Sequence, residues 1–339
     1  MARTGRKFSL AMHIVKANLS YFLDRGYNLA ELLKRSRVSS NLFNSGDTRV
    51  SAQQFARLRS NAMLMMGDEM LGHTGKPLPL GAWEMMCHAC ISSETLGEAL
   101  ARYCEFFNLF DWGIICTLSV KDEKAFFTAR ASANKELGRF PHASCLMYTH
   151  RFSSWLVDQW LPTTTFHFAC PKPPHHQEYK GLFVQSPTIF DQADYGIEFP
   201  AKCLSYPINQ DTHSLRRFLR HPFYEMLILD YENELWASKI RKLIEMNLKN
   251  PPDFDTASKT LGIHPHTLRR RLLEENTNYR DIKNKTRLDS AIYYLGMHNL
   301  SIDQVSERAG FSEASAFIRA FKNWTGNSPA QYRKQSEEF

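Results

Sequence analysis

Apolar residues recur at helical spacing through much of this chain. Leu96, Ala99 or Leu100, Tyr103 and Phe107 fall in register and predict a helix over Thr95–Phe107. Asn28–Lys34, Ser51–Met66 and Leu146–Trp160 read as helices in the same way. Elsewhere the pattern favours strands. Gly113–Val120 and Ala125–Arg130 flank the polar turn Lys121–Lys124 and predict a β-hairpin. Thr164–Ala169 reads as a strand, and Thr188–Phe190 with Tyr195–Phe199 as a second hairpin pair. Helices followed by mixed structure predict an α+β domain over the first 210 residues.

Toward the C-terminal end the sequence repeats at an offset of 48 residues, in segments beginning at Thr256 and Gln304. Ser258, Gly262, Arg271 and Thr277 match Ser306, Gly310, Arg319 and Thr325. Each copy reads as a short helix, a glycine turn and a second helix. In the later copy Ser301 and Gln304 form a capping box, Ile302, Val305 and Ala309 keep helical spacing, and Gly310 frees the backbone to turn. Ser312 suits the cap of the next helix, on which Phe317, Phe321 and Trp324 share one apolar face. In the earlier copy Pro265 fits the first helical position behind His264. Leu268 and Leu272 mark its buried side, with Arg269, Arg270 and Arg271 around the rest.

Two amphipathic helices joined by a glycine turn make a helix-turn-helix, whose second helix can enter a DNA major groove. Between the copies, Asn278–Gly296 has Asn278 as a cap and Leu288, Ile292 and Leu295 as an apolar stripe. A helix of that length spans about 28 Å, a spacer suited to successive major grooves roughly 34 Å apart.

Charge supports this reading only modestly. The net charge is +7, and residues 233–339 hold 17 Lys and Arg against 13 Asp and Glu, compared with 25 against 22 before them. A polyanionic partner is compatible with that excess. The 43% hydrophobic content excludes a disordered chain. The start lacks an uninterrupted apolar run, and no stretch is long enough to cross a membrane. No membrane association is expected, and a cytoplasmic protein is.

The seven cysteines all precede residue 210 and make no disulfide framework. Cys87 and Cys90 sit in an apolar helical stretch and read as buried thiols rather than a redox or zinc pair. His175 and His176 follow two prolines and read as surface histidines, not metal ligands. No phosphate-binding glycine loop, His-Glu-x-x-His or Gly-x-Ser-x-Gly elbow is present. An enzyme is not expected, nor a cofactor or metal.

The C-terminal residues resemble the DNA-binding domain of the AraC/XylS family of bacterial transcription regulators. The likeness covers about residues 235–335 and is carried most by Gly310–Arg333. It implies reading helices at His264–Leu272 and Ser312–Lys322. Carried over by position, the base-facing residues are His266, Arg269 and Arg270 in the first, with Ala314, Ser315, Ile318 and Arg319 in the second. Arg can pair bidentately with guanine, whereas Ala or Ile can touch only a thymine methyl. Lys322, Arg333, Lys283 and Lys285 are read as phosphate contacts.

Asp47–Leu58, Ser92–Phe107 and Glu178–Ile208 resemble the sensing domain of a non-cupin branch of AraC-type regulators, which includes regulators responding to amino acids. The implied organisation is an α+β effector domain over 15–210, a linker over 211–232 and an all-α double helix-turn-helix domain over 233–339. The implied function is an effector-controlled transcription regulator, an activator, acting on double-stranded DNA as a homodimer and in contact with RNA polymerase. Control by a protein partner or by abundance stays open beside the small-molecule effector. An alkyl-transfer enzyme fused to a DNA-binding domain would need a reactive cysteine cluster, and Cys87 and Cys90 lack basic neighbours. No effector-binding residue is legible. Tyr103, Phe106, Phe107, Phe110 and Trp112 read first as core.

Overall fold

The computed structural model describes residues 9–44, 48–132, 137–161, 164–173, 176, 182–183, 186–229, 236–275, 277–296 and 300–337. The start of the chain, Asp47, His175 and most of Glu178–Gln185 lie outside the described residues. The chain packs as two compact units. One comprises Met1–Lys16, Asn28–Leu58 and Glu232–Phe339; the other comprises Ala17–Tyr27 and Arg59–Tyr231.

The second unit is α+β. Strands β3 (Ile114–Lys121), β4 (Lys124–Ala131), β5 (Thr165–His167), β6 (Thr188–Ile189) and β7 (Gly196–Pro200) form one sheet in the order β3-β4-β7-β5-β6. The β3–β4 hairpin closes through Asp122 and Glu123, both at positive φ, the left-handed pair that a two-residue loop requires. Ala125, Phe127 and Ala129 alternate inward from β4 and are fully buried.

The second hairpin expected from the sequence does not form. β7 pairs antiparallel with both β4 and β5, and β6 pairs parallel with β5 instead. Gly196–Pro200 is thus a central strand, held on both edges before a two-residue β6 could claim it.

Helices Leu96–Asn108 and Arg139–Leu156 pack against the sheet. The latter begins seven residues before the expected Leu146 and ends four before Trp160. From Cys145 to Leu156 every residue is buried, so no amphipathic period marks its ends.

Residues 211–232 are not a free linker. Thr212–Leu219 and Pro222–Ile228 are helices of the second unit, with Leu215, Phe218 and Met226 buried. Arg151, 1% exposed, donates to the carbonyls of Met226 at 2.6 Å and Leu182 at 2.8 Å, tying the last helix down. Burial pushes the Cys90 thiol up to about 12 and raises that of Cys87, so neither is a ready nucleophile.

The first unit is the surprise for a contiguous reading, because residues 28–58 pack with the C-terminal helices. β1 (Ser9–Ala11) and β2 (Arg49–Ser51) pair antiparallel. Ser9 Oγ donates to Asp289 Oδ1 at 2.6 Å, and the Tyr332 hydroxyl donates to the Arg49 carbonyl. Helix Ser40–Asn44 lies on helix Pro329–Glu337. These contacts join positions about 280 residues apart, which no local pattern announces.

The rest of this unit is helical, as the all-α reading expects, with Trp236–Met246 and Pro329–Glu337 added to the helices named from the sequence. Trp236–Met246, Phe254–Thr260, Pro265–Glu274, Tyr279–Leu295, Ile302–Arg308, Ala314–Thr325 and Pro329–Glu337 succeed one another. Ile240, Ile244, Ala257, Leu268, Leu272 and Ile282 form one core cluster.

Two outcomes are expected. Gly310 has φ +86°, and a Cβ there would lie 2.0 Å from the Leu248 carbonyl oxygen, whereas a Cβ on Gly262 would meet open space. Gly310→Ala should cost about 3 kcal/mol or more of stability and Gly262→Ala about 1 kcal/mol, measured by urea unfolding. Equal costs would show that the second turn does not pack as described. Burial also holds His73 neutral, its pKa pushed down to about 4, and His150 likewise to about 3. Unfolding returns both to about 6.5, so the unfolded chain takes up protons that the folded chain refuses. This contribution to stability is complete above about pH 6.5 and is lost as the pH falls toward 4. Unfolding midpoints should therefore drop between pH 7 and 5, each histidine costing up to about 1.4 kcal/mol per pH unit. A flat profile would contradict the two buried neutral imidazoles.

Candidate functional site

The repeat seen in the sequence is a repeat of bonds. Helices Phe254–Thr260 and Ile302–Arg308 have bounds 48 residues apart. Gly262 N donates to the Lys259 carbonyl and Gly310 N to that of Glu307, both at 3.0 Å. Ile263 N donates to the Ser258 carbonyl and Phe311 N to that of Ser306, again at 3.0 Å. Both glycines have positive φ, as the turn requires. The Ser301–Gln304 capping box is present, and so is the Asn278 cap of the helix between the pairs.

After the turn the register slips. Four residues, 261–264, separate the first two helices, but five, 309–313, separate the second two. Ser312, expected to cap the last helix, is the extra residue. Glu313 stands at the N-cap instead, without a side-chain bond. From there the copies correspond at 49 residues. Leu268 and Phe317 are both fully buried, as are Leu272 and Phe321 to within 2%. Arg319 therefore matches Arg270 in helical phase, not Arg271 as the ungapped alignment has it.

This phase sorts the expected residues. With Leu268 and Leu272 facing the core, His266, Arg270 and Leu273 lie opposite them, since residues follow at about 100°. The equivalents in the second helix are Ser315, Arg319 and Lys322. All six are exposed. Arg269 and Ile318 lie at the flank of each face; the Arg269 guanidinium sits over the Phe254 ring, 5.4 Å from its centroid. Ala314 is turned toward the core and is only partly exposed.

Leu273, 64% exposed at the position equivalent to Lys322, was missed by sequence reading. Its signal was there in the helical phase, but a leucine reads first as core. Among the expected phosphate contacts, Lys322 is exposed. Lys285 Nζ stands 4.0 Å from Asp289 Oδ2, while Lys283 and Arg333 are partly buried.

The spacer is Tyr279–Leu295, 17 residues rather than the expected 19, because Gly296 forms its C-cap. It is about 25 Å long at 1.5 Å per residue. From it Arg287 donates to the Gly310 carbonyl at 2.6 Å and lies over the Phe311 ring. That bond anchors the second turn to the spacer.

The second unit contains a separate site that the sequence did not reveal. A pocket with about 390 Å³ of space between atoms, part of it open to solvent, is lined by Arg59, Glu69, Trp83, Phe107, Trp112 and Tyr148, among others. Arg59 comes from helix Ala52–Met66, Trp83 from helix Ala82–Ile91 and Phe107 from helix Leu96–Asn108. Tyr103, Phe107 and Trp112, read as core in the sequence, all line it. Arg59 Nη2 donates to the Glu69 carbonyl at 3.0 Å, with the guanidinium over the Tyr148 and Phe223 rings. The Glu69 carboxylate accepts from Gly81 N at 2.8 Å and Trp83 N at 2.9 Å, while burial raises its pKa. Among the described residues no cluster of His, Cys, Asp and Glu could hold a metal ion, and no helix is long and apolar enough to cross a membrane.

Comparison with known proteins adds to this geometry. Residues 26–208 match the family described as the arabinose-binding domain of AraC transcription regulator, N-terminal, and residues 257–335 match a helix-turn-helix domain family. Over 322 residues the chain is 26% identical to the ornithine utilization regulator of Pseudomonas aeruginosa, covering 94% of each protein. It is 32% identical over 138 residues to the transcriptional regulator VqsM of the same organism, covering 38% of this chain and 42% of that protein. Among solved structures, the regulator CdpR from Pseudomonas aeruginosa aligns over 95% of this chain and 97% of its own, at 20% identity and a TM-score of 0.34.

Proposed function

The chain belongs to the AraC family of transcription regulators, and from that premise we propose how its surfaces divide the work. It is a DNA-binding regulator controlled by a small-molecule effector through its N-terminal domain. His266, Arg270, Ser315 and Arg319 read base edges, each pair occupying equivalent places on the two motif helices. Lys322 holds a phosphate, and Leu273 at the equivalent position offers an apolar surface to a thymine methyl. Arg269 and Ile318 work from the flanks of these faces. Ala314 contributes close backbone approach more than side-chain contact.

The observation that carries this reading is the matched pair of exposed faces on two helices, one preceding and one following a helix of 17 residues. A helix of about 25 Å suits two helices entering neighbouring major-groove segments. The protein acts as a homodimeric activator that contacts RNA polymerase. It has no catalytic role of its own, a reading supported by the buried high-pKa thiols Cys87 and Cys90.

The test is capture and sequencing of genomic fragments on the purified full-length chain, followed by affinities on the recovered site. Recovered fragments should share two short half-sites about one helical turn apart. Arg270→Ala and Arg319→Ala should each cost about 1–3 kcal/mol of specific binding and relax preference within one half-site. Lys322→Ala should instead weaken binding to all sequences and reduce the salt slope by about one. Unchanged affinity in both arginine variants would sink the assignment of these faces.

A further inference from the structure

The polar groups lining the cavity of the second unit are unevenly matched. Arg59 is 2% exposed, Trp112 3% and Trp83 8%. Arg59 Nε, Trp83 Nε1 and Trp112 Nε1 are all buried without a hydrogen-bond partner. A buried donor left unmatched costs roughly 1–3 kcal/mol, so three on residues that line one pocket call for an explanation beyond packing. Glu69, the one carboxylate among the lining residues, already accepts two backbone N–H bonds. What the cavity lacks is an acceptor, and it holds one buried cation.

The walls are flat. Phe107 and Trp112 stack at 5.3 Å, and Trp83 lies 6.4 Å from Phe107 and 6.0 Å from Tyr148. A polyol could accept from these N–H groups, but its own O–H donors would find few acceptors among the lining residues. A dication would face Arg59. A dianion would outnumber the single positive charge.

We propose that this cavity is the effector site and takes a small aromatic monocarboxylate. The carboxylate accepts from Arg59 Nε and the indole N–H groups, and the ring lies among Trp83, Phe107 and Trp112. The proposal rests on reading the N-terminal domain as an effector sensor, and names the chemistry it senses. Arg59 stands in helix Ala52–Met66, whose residues up to Leu58 are counted with the DNA-binding unit.

The test uses the full-length protein with benzoate, phenylacetate and indole-3-acetate, each beside its neutral amide. Binding is read by tryptophan fluorescence and by the thermal midpoint. At least one carboxylate should quench fluorescence and raise the midpoint, and its amide should bind about tenfold more weakly or worse. Trp112→Phe keeps a six-membered aromatic ring but removes one donor and some packing, so its binding is read against its own unliganded midpoint; it should weaken the carboxylate about tenfold. Arg59→Lys keeps the charge and loses the planar fork, and should weaken it as well. Three results would each overturn the proposal: no response to any carboxylate at millimolar concentration, equal binding of acid and amide, or an unaffected Trp112→Phe variant. DNA binding measured in the same samples separates the two readings. A chain that binds its site but ignores these acids loses only the cavity assignment.

Discussion

The second helix pair depends on one close approach of backbone to backbone. The Leu248 carbonyl lies so near Gly310 that no side chain fits between them, and Arg287 holds the Gly310 carbonyl from the spacer helix. The turn is thus clamped from two directions. Once it is clamped, Phe317 and Phe321 can enter the core only in one phase, and Ser315, Arg319 and Lys322 are carried to the opposite face. The first pair is held by other means. A Cβ on its Gly262 would meet nothing, and its helices are fixed by Leu268 and Leu272 packing on Ile240, Ile244 and Ile282. The Glu275 carboxylate adds a cap, accepting from Trp236 N and Ala237 N at 2.8 Å each. Two copies of one motif therefore rest on different supports.

In the other unit, buried polar groups play the organising part. Asp68 accepts from the backbone N–H groups of Met70, Gly72 and Leu78, shaping the loop that precedes Trp83. Glu69 caps the helix that carries Trp83. The two buried arginines contrast with each other. Arg151 donates to several backbone carbonyls and closes helix Pro222–Ile228 onto its neighbours. Arg59 makes one such bond and otherwise lies on aromatic rings beside empty space. A buried charge without a full set of partners is costly. The first is tied to the fold through its Nη atoms, and the second borders the cavity.

What the sequence by itself determined was local. The helix-turn-helix pairs were legible because a glycine at positive φ, a Ser301–Gln304 box and an apolar stripe at helical spacing are short-range signals. The β3–β4 hairpin was legible for the same reason, since alternation and a polar two-residue turn lie within one stretch. Even so, the single residue added at Ser312 escaped an ungapped comparison. Only the burial of Phe317 and Phe321 revealed that Arg319 answers to Arg270.

What tertiary structure decided was everything that pairs distant residues. The sheet order placed β7 between β4 and β5, where sequence neighbours suggested β6. Residues 28–58 joined the C-terminal helices through Ser9, Arg49 and Tyr332, and 212–228 became packed helices instead of a linker. The cavity gathers Arg59, Trp83, Trp112 and Phe223 from segments with no common motif. Periodicity reports which side of an element is buried, because that is set by the residues of the element itself. It does not report what that side is buried against, because partners are chosen by the packing of the whole chain.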